Sequence, residues 1–292
     1  MNTTLIPMPD GRRLQIEAAG PDDGIPLIFH NTTPGSARPY RALKTAAEKH
    51  GLRLITFARA GYGLSTRKPG RIVADAAADV ASLLDHLSIQ RCLVLGWSGG
   101  GPHALATAAL LADRVAAVAS VSGFAPFDAH GLDFFADMGQ ANVDSLTLAQ
   151  RGEAAIAAPY TAAAAAMATT TGPDLTTHLA TLLSDNDRAF LSDPQTAQDV
   201  AATVATGVRY GATGLIDDDL AFVKPWGFDI RQVAVPAFVW HGGQDLMVPY
   251  AHGEWLSEQV PGAVPRLLKS EGHFSVALGQ TTEIVNELLE AF

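Results

Sequence analysis

A serine flanked by glycines lies where the sequence changes from a strand-like apolar run to a helix-like run. Residues 93–106 read LVLGWSGGGPHALA, and the segment GWSGG at 96–100 has the spacing G-x-S-x-G. The apolar run before it predicts a strand and the run after it predicts a helix, which is the context this motif requires. A sharp strand-to-helix turn projects the serine Oγ away from the sheet, and small neighbours let the two backbones approach. Because the helix N-terminus also offers N–H groups to a developing oxyanion, these features favour Ser98 as a nucleophile.

Two other interpretations of the same stretch stay open at this point. A glycine-rich connection between a strand and a helix explains the glycines without any catalysis. A phosphate-binding loop fits less well, because Pro102 and His103 stand where such a loop needs a lysine and a hydroxyl residue. A base and an acid at the same edge of the sheet would favour the nucleophile.

The base we expect is His273, one of nine histidines in the chain. It lies in the segment KSEGHFS, which we expect to be a loop just after the last strand. Loops at the carboxyl ends of parallel strands converge, so this loop and the Ser98 turn should meet. Five other histidines have structural interpretations. We expect His50 and His86 to end helices, and His178 and His252 to lie on exposed helical stretches. We expect His103 to pack within the helix that follows Ser98.

The acid we expect is Asp245, in the loop after the apolar strand that ends FVWHG. A carboxylate beside His273 would fix the tautomer of the imidazole and stabilise the imidazolium that forms as Ser98 loses its proton. The loop after the strand VAAVASV also opens at the carboxyl edge, which makes Asp128 the reserve candidate.

A fourth candidate element is the segment IFHNTTPGSARPY at residues 28–40. A Pro-Gly turn here would direct one backbone N–H toward Ser98, as a second oxyanion donor beside the N–H of Gly99. The alternative is an ordinary turn, in which Pro-Gly is common.

The elements that must position these residues follow an alternating pattern. Short strand-like runs alternate with longer helical runs, which predicts a mostly parallel sheet covered by helices on both faces. TLIPMP and RLQIEAAG flank a Pro-Asp-Gly turn and predict an antiparallel hairpin at the start of the chain. From about Phe124 to Ile230 we find only helical or irregular patterns, and the final run VALGQTTEIVNELLEAF predicts one helix. We therefore expect a core of residues 1–123 and 231–292, interrupted by an all-helical segment at 124–230.

Composition narrows the class of protein. The chain has 292 residues, of which 48% are hydrophobic and 17% charged, so it can bury a substantial core. A net charge of −10 with scattered basic residues argues against a nucleic-acid partner. The single cysteine, Cys92, is expected to be buried in a strand and cannot form an internal disulfide. Neither a signal peptide nor an apolar run of about 18 residues is present, so we expect a cytoplasmic protein with no membrane partner. No residue spacing indicates a metal site or an organic cofactor.

With these residues in place, the sequence resembles the α/β-hydrolase superfamily. The segments FHNTTPGS, GWSGGG, HGGQDLMVP and EGHFS occur in the family's order, and ARAGYGLS resembles its Gly-Tyr-Gly-x-Ser loop. The resemblance covers nearly the whole chain. It implies an α/β fold with a doubly wound, eight-stranded and mostly parallel sheet, and a helical cap inserted after the sixth strand.

The sequence departs from the family at two places. Members often carry His-Gly-x-Pro-Gly, whereas this chain has HNTTPG from His30. Alignment on Pro-Gly makes Thr33 the N–H donor and alignment on His30 makes it Thr32; we prefer Thr33. Relatives usually show an acidic residue and a proline in place of Ala58 and Ala60. Neither departure touches Ser98, Asp245 or His273.

We therefore expect a serine hydrolase that acts on a small or medium acyl substrate, foremost a carboxylic ester. Ser98 would attack the carbonyl, His273 would act as base and then as acid, and Asp245 would orient it. The N–H groups of Gly99 and Thr33 would hold the oxyanion.

Other chemistries stay open. A serine nucleophile argues against dehalogenase and epoxide hydrolase chemistry, but amide, lactone and carbon–carbon hydrolysis, perhydrolysis, and a non-catalytic ligand receptor are not excluded. An aminopeptidase would be expected to carry acidic cap residues; the run Asp217–Asp219 could serve, although a run of acids is more typical of a solvated helix start. The pattern is also compatible with a homodimer. Aromatic side chains beside Ser98 and in the cap are candidates for the pocket wall or for ordinary core packing: Trp97, Phe134, Phe135 and Tyr160.

Overall fold

The computed structural model describes residues 3–292, so Met1 and Asn2 of the expected core lie outside the described residues. Within that range the strands form one eight-stranded sheet in the order β1-β2-β4-β3-β5-β6-β7-β8. The first two strands pair antiparallel as the predicted hairpin, β2 also runs antiparallel to β4, and all other neighbours are parallel. The strands are β1 Thr4–Pro7, β2 Arg13–Ala19, β3 Ile25–His30, β4 Leu52–Phe57, β5 Cys92–Trp97, β6 Val115–Val121, β7 Ala237–Gly242 and β8 Val264–Leu268. The predicted doubly wound fold is therefore confirmed.

The central strands are buried on both faces of the sheet. Every residue of β5 and β6 is buried, including Cys92 as expected, because helices cover both sides of a parallel sheet. Successive side chains of a strand point to opposite faces, so Leu93 and Leu95 join one apolar cluster while Val94 joins the other. The β5–α3 turn that holds Ser98 thus rises from the most completely packed part of the sheet.

Helices flank the sheet in two layers. Residues of α1, α11 and α12 pack into the cluster of Leu93, and residues of α2, α3 and α10 pack into the cluster of Val94. None of the helices in the described part of the chain has the length and apolarity that crossing a bilayer requires. The helices of these layers are α1 Arg41–Lys49, α2 Asp75–His86, α3 Gly100–Leu110, α10 Tyr250–Gln259, α11 His273–Gly279 and α12 Thr281–Glu290.

The expectation of one C-terminal helix is wrong, because the structure divides that segment into α11 and α12. The break falls at Gln280. The hydroxyl of Thr281 donates to the carbonyls of Ala277 and Leu278 at 2.9 Å each, and so replaces the backbone bonds that a continuous helix would make there. The division lets α11 begin at the carboxyl edge of the sheet while α12 packs along its face.

Between β6 and β7 the structure has helices in place of strands. Within residues 122–236 these are α4 Gln140–Ala149, α5 Glu153–Met167, α6 Gly172–His178, α7 Asp185–Phe190, α8 Pro194–Val208, α9 Thr213–Phe222 and a short 3-10 helix, Ile230–Gln232. We call residues 124–230 the inserted segment. Side chains from α4, α5 and α9 line a cavity together with Ser98, so the inserted segment lies over the carboxyl edge of the sheet.

Candidate active site

Ser98 occupies a strained turn between β5 and α3. Its φ of +57° lies in the left-handed region, which is uncommon for residues other than glycine and is often found at functional sites. The turn is held on both sides, because the Ser98 N–H donates to the carbonyl of Val121 at 2.8 Å and its carbonyl accepts from Gly101 N–H at 2.9 Å. The backbone of Ser98 is therefore held in place at the carboxyl edge of the sheet.

The glycines around Ser98 are required by close backbone approach. A Cβ on Gly96 would overlap the carbonyl oxygen of Gly100, and one on Gly100 would overlap the carbonyl oxygen of His30. A Cβ on Gly99 would overlap the Thr33 hydroxyl. The glycines thus pack strand, helix and the loop after β3 against one another, which is the steric role expected of them from the sequence.

The structure brings His273 and Asp245 into direct contact. His273 Nδ1 donates to Asp245 Oδ2 at 2.7 Å, and both side chains are buried. The other carboxylate oxygen, Oδ1, accepts from the backbone N–H groups of Met247 at 2.8 Å and Val248 at 2.9 Å. Because Nδ1 carries the proton given to the carboxylate, Nε2 is the ring nitrogen available to accept one.

The two groups change each other's pKa in the directions that a catalytic pair needs. Burial lowers the pKa of His273, but the charge and hydrogen bond of Asp245 outweigh burial and raise it above the ordinary 6.5. Burial raises the pKa of Asp245, but the neighbouring His273 outweighs burial and lowers it below 3.8. Asp245 is therefore ionised at neutral pH, and an imidazolium on His273 is stabilised.

His273 is the first residue of α11 rather than a loop residue, and a carboxylate from the inserted segment fixes its backbone. Asp187, on α7, accepts from the N–H groups of His273 and Phe274 at 2.8 Å each and of Ser275 at 3.1 Å. These are N–H groups at the start of a helix, which an acidic side chain satisfies well. Asp187 is fully buried and was not found from the sequence, where nothing marks its pairing with a helix 86 residues away.

Two adjoining cavities share the Ser98 wall. The first, of about 110 Å³, is also lined by His273, Trp97 and Thr33, and we call it the histidine-side cavity. The second, of about 200 Å³, is lined by Thr33, Tyr160 and Asp219 and does not include His273; we call it the aspartate-side cavity. Of the aromatic candidates, Trp97 and Tyr160 thus form cavity walls. The other two lie in or against the apolar core: Phe134 and Phe135.

The loop after β3 places two threonines beside the cavities, with different backbone environments. Thr32 N–H donates to Asn31 Oδ1 at 2.8 Å. Within residues 3–292, the N–H groups of Thr33 and Gly99 have no protein acceptor. Thr33 lines both cavities with Ser98, whereas Thr32 lines only the histidine-side cavity.

The run Asp217–Asp219 is not a solvated helix start, and that expectation is wrong. The three residues lie inside α9 and are 2%, 0% and 8% exposed. Asp217 pairs with Arg67, whose Nη2 and Nε donate at 2.7 and 2.9 Å. Asp217 and Asp218 are compensated by basic side chains that are scattered along the sequence and converge on this helix, whereas Asp219 accepts from the Tyr160 hydroxyl.

Asp218 is the centre of a buried ion cluster that the sequence did not reveal. It accepts from Arg59 Nη2 at 2.5 Å and from the Tyr62 hydroxyl at 2.9 Å, and it forms an ion pair with Arg71, whose Nη2 lies 2.6 Å from Oδ1. Burial raises the pKa of Asp218, but the two guanidinium groups outweigh burial and hold it well below 3.8. Two positive charges and one ionised carboxylate therefore lie together in the interior.

This cluster also holds the loop after β3. The Thr33 hydroxyl donates to Asp218 Oδ2 at 2.6 Å, and Arg59 Nη2 donates to Thr33 Oγ1 at 2.9 Å and to the carbonyl of Thr32 at 2.8 Å. Arg59 Nη1 donates in addition to the carbonyl of Asn31. The conformation of the loop at Thr33 thus depends on a residue of the inserted segment.

The other sequence candidates are placed apart from the pair. Asp128 is exposed and makes no hydrogen bond to His273. His252 is buried, contrary to expectation: its Nδ1 accepts from Ala125 N–H at 3.1 Å, its Nε2 lies 2.9 Å from the Phe134 carbonyl, and burial lowers its pKa to about 4. Within residues 3–292 no group of three or more His, Cys, Asp or Glu side chains is arranged to hold a metal ion.

Comparison with known proteins places this arrangement among relatives. A family model described as the alpha/beta hydrolase fold matches residues 25–280. The chain is 28% identical, over 300 residues, to a non-heme chloroperoxidase of Streptomyces lividans, with 97% of this chain and 96% of the relative covered.

Solved structures agree on the fold. An esterase from Rhodococcus sp. ECU1013 superimposes with a TM-score of 0.71 at 18% identity, over the whole of both chains. A protein from Chitinophaga pinensis, described as an alpha/beta hydrolase fold protein, gives a TM-score of 0.73 at 20% identity, covering 99% of this chain and 98% of that one. At these identities the likeness is one of fold.

Proposed function

The chain belongs to the α/β-hydrolase fold family, and on that premise we propose that it is a serine hydrolase of small or medium acyl substrates, foremost carboxylic esters. One observation carries the proposal: the strained Ser98 turn opens onto the same cavity as His273, whose Nδ1 donates to Asp245 at 2.7 Å. A nucleophile, a base and an acid that orients the base then lie at one edge of the sheet.

In the first half-reaction, Ser98 Oγ attacks the ester carbonyl carbon while His273 Nε2 takes the hydroxyl proton. The Asp245 carboxylate stabilises the imidazolium that results. The tetrahedral intermediate places its oxyanion at the N–H groups of Gly99 and Thr33. Its carbon–oxygen bond to the leaving group then breaks, and His273 gives its proton to the departing alcohol, which leaves an acyl group on Ser98.

In the second half-reaction, water attacks the acyl carbon and His273 again takes a proton. The bond to Ser98 breaks, the proton returns to the serine, and the carboxylic acid departs. Besides the substrate and this water, the steps use the side chains and backbone N–H groups named here.

The assignment of Thr33 as the second oxyanion donor is supported by its backbone. The Thr32 N–H already donates to Asn31, whereas the Thr33 N–H is free of protein acceptors within residues 3–292. Thr33 also lines both cavities with Ser98. These observations support the alignment on Pro-Gly, which makes Thr33 the donor.

We assign the inserted segment, residues 124–230, as a cap that closes the site. Its helices α4, α5 and α9 supply walls of the aspartate-side cavity, and the core supplies Ser98 and Thr33. Such a cap would exclude bulk water and set the size of the acyl group accepted.

The test is hydrolysis of p-nitrophenyl esters of increasing acyl length by the purified protein, together with labelling by a fluorophosphonate probe. Ser98→Ala should abolish both turnover and labelling, whereas Ser82→Ala, on α2, should leave both unchanged. Labelling that persists in Ser98→Ala would show that another residue is the nucleophile. Thermal melting of both variants establishes that they are folded.

A second candidate is perhydrolysis, in which hydrogen peroxide replaces water at the acylated serine. It is favoured by similarity to a protein of Acinetobacter calcoaceticus named as a bifunctional esterase/perhydrolase, which is 31% identical over 119 residues, or 40% of this chain and 43% of the relative. The assay is peracid formation from acetate and hydrogen peroxide. Absence of peracid from a preparation that hydrolyses esters would eliminate this candidate.

A further inference from the structure

The aspartate-side cavity contains an acidic side chain that the proposed mechanism does not use. Asp219 lies on the cavity wall with Ser98, on the α9 side, and is 8% exposed. Its Oδ2 accepts from the hydroxyl of Tyr160 on α5. A carboxyl group placed on the wall of a substrate cavity needs a reason, because burying it costs free energy unless a partner compensates it.

The surroundings of Asp219 lack a compensating positive charge. Among the described residues that line the aspartate-side cavity, there is no lysine, arginine or histidine. Asp218 next to it already takes both buried arginines of the cluster. Burial raises the pKa of Asp219 to about 7, and the negative charge of Asp218 acts in the same direction. The cavity thus offers one hydrogen-bonded acid with no cation beside it.

The two cavities divide the substrate. His273 must give a proton to the leaving oxygen, and it lines only the histidine-side cavity. On the proposed mechanism the leaving alcohol would therefore occupy the histidine-side cavity, and the acyl group would occupy the aspartate-side cavity. The acyl group consequently meets Asp219 and Tyr160, together with apolar walls such as Leu146 and Phe222.

On these contacts we propose that Asp219 is a specificity-determining residue, which selects acyl groups that carry a protonated amine. The ammonium group supplies the positive charge that the cavity lacks, donates to the carboxylate, and leaves the apolar walls to hold the connecting carbon chain. An acyl group ending in a carboxylate is rejected by the same side chain. This inference rests on the proposed hydrolase function, since it assigns the acyl side of that reaction.

The test compares p-nitrophenyl esters of glycine, β-alanine and 6-aminohexanoic acid with esters of acyl chains of the same length that end in a methyl group. Each ester is measured with the unmodified protein, with Asp219→Asn and with Asp128→Asn, which removes the same charge from an exposed position. The ratio of kcat/KM between protein and variant cancels the intrinsic reactivity of each ester.

We expect Asp219→Asn to lower kcat/KM for at least one ammonium ester by about tenfold or more relative to its methyl-ended partner. Asp128→Asn should change neither. Equal effects of Asp219→Asn on both members of every pair would overturn the inference while leaving ester hydrolysis intact. Absence of hydrolysis of every ester in the series, ammonium-bearing and methyl-ended alike, by the unmodified protein would instead overturn the proposed function and this inference with it.

A binding measurement tests the same inference without the Asp219→Asn variant, and so does not depend on whether that variant folds. Calorimetry with Ser98→Ala should detect binding of butylammonium but not of butanol, in the absence of any turnover. The groups that face Asp219 are Tyr160 from α5 and Asp218 on its own helix. Because ammonium binding ionises Asp219, about half a proton should be released per ligand at pH 7, near the pKa of about 7. Binding of both ligands with equal affinity would also overturn the inference.

Discussion

The pair Asp245–His273 and the aspartates of α9 belong to two different regions of the molecule, the carboxyl edge of the sheet and the inserted segment. Asp245 follows β7 and His273 begins α11, so both lie at the carboxyl edge of the sheet, and Asp187 of the inserted segment accepts from the His273 N–H. Asp218 and Asp219 lie inside a helix of the inserted segment, and their roles depend on how that segment packs on the core. We therefore assign proton transfer to residues that follow the strands, and loop geometry and selectivity to residues of the inserted segment.

The two regions also use buried charge differently. Asp245 has one ionisable partner at hydrogen-bond distance, a histidine whose proton must move during the reaction. Asp218 has two permanently charged partners, Arg59 and Arg71, so its charge is fixed. One carboxylate therefore supports proton transfer, and the other holds a loop in position.

The largest effect is expected from Asp245→Asn. The amide would not fix the Nδ1–H tautomer of His273 or stabilise its imidazolium, so kcat for a p-nitrophenyl ester should fall by about 10⁴-fold with little change in KM. The matched control is Asp128→Asn, the reserve acid, which should retain full activity. Comparable losses in the two variants would mean that the acid has been misassigned.

Asp218→Asn should act mainly on stability. It leaves Arg59 and Arg71 buried beside a neutral amide, and the loss of one partner of a buried ion pair costs about 3–5 kcal/mol in the free energy of unfolding. Denaturant unfolding measures the loss.

The control for this variant is the neighbouring Asp217→Asn. Its partner Arg67 is 28% exposed and can be rehydrated, so the loss should be smaller. Equal losses in the two variants would contradict the view that the Asp218 cluster is the one that matters. An Asp218→Asn protein that folds should also show lower kcat, because Thr33 Oγ1 loses its carboxylate partner.

The sheet and its carboxyl-edge residues could be predicted because their signals are local. GWSGG identifies the turn at Ser98 within five residues, and alternating strands and helices bring Asp245 and His273 to the same edge. The break between α11 and α12 could not be predicted, because the polar feature at the break is the bond of the Thr281 hydroxyl to the Ala277 carbonyl, which threonines also make inside continuous helices such as α8. Local pattern therefore gives the framework but not every helix boundary.

The contributions of the inserted segment could not be predicted, since they join residues far apart in sequence. Arg59 and Asp218 are separated by 159 positions, and Asp187 and His273 by 86. The sequence of Asp217–Asp219 does not show whether these side chains face solvent or arginines from elsewhere in the chain. Only the packing of the segment decides between these states.

The smallest effect, and the most specific to the comparison, is on the pH dependence of kcat/KM for a methyl-ended ester. His273 must be neutral to take the Ser98 proton, and its pKa is raised above 6.5 by Asp245 against the effect of burial. The acidic limb of the profile should therefore have its midpoint above pH 6.5. In Asp245→Asn burial remains and the carboxylate is gone, so the midpoint of the residual activity should move to lower pH. In Asp219→Asn the midpoint should not move, because Asp219 acts on charged acyl groups and not on the proton of His273. A shift of the midpoint in this variant would show that Asp219 also influences the ionisation of His273.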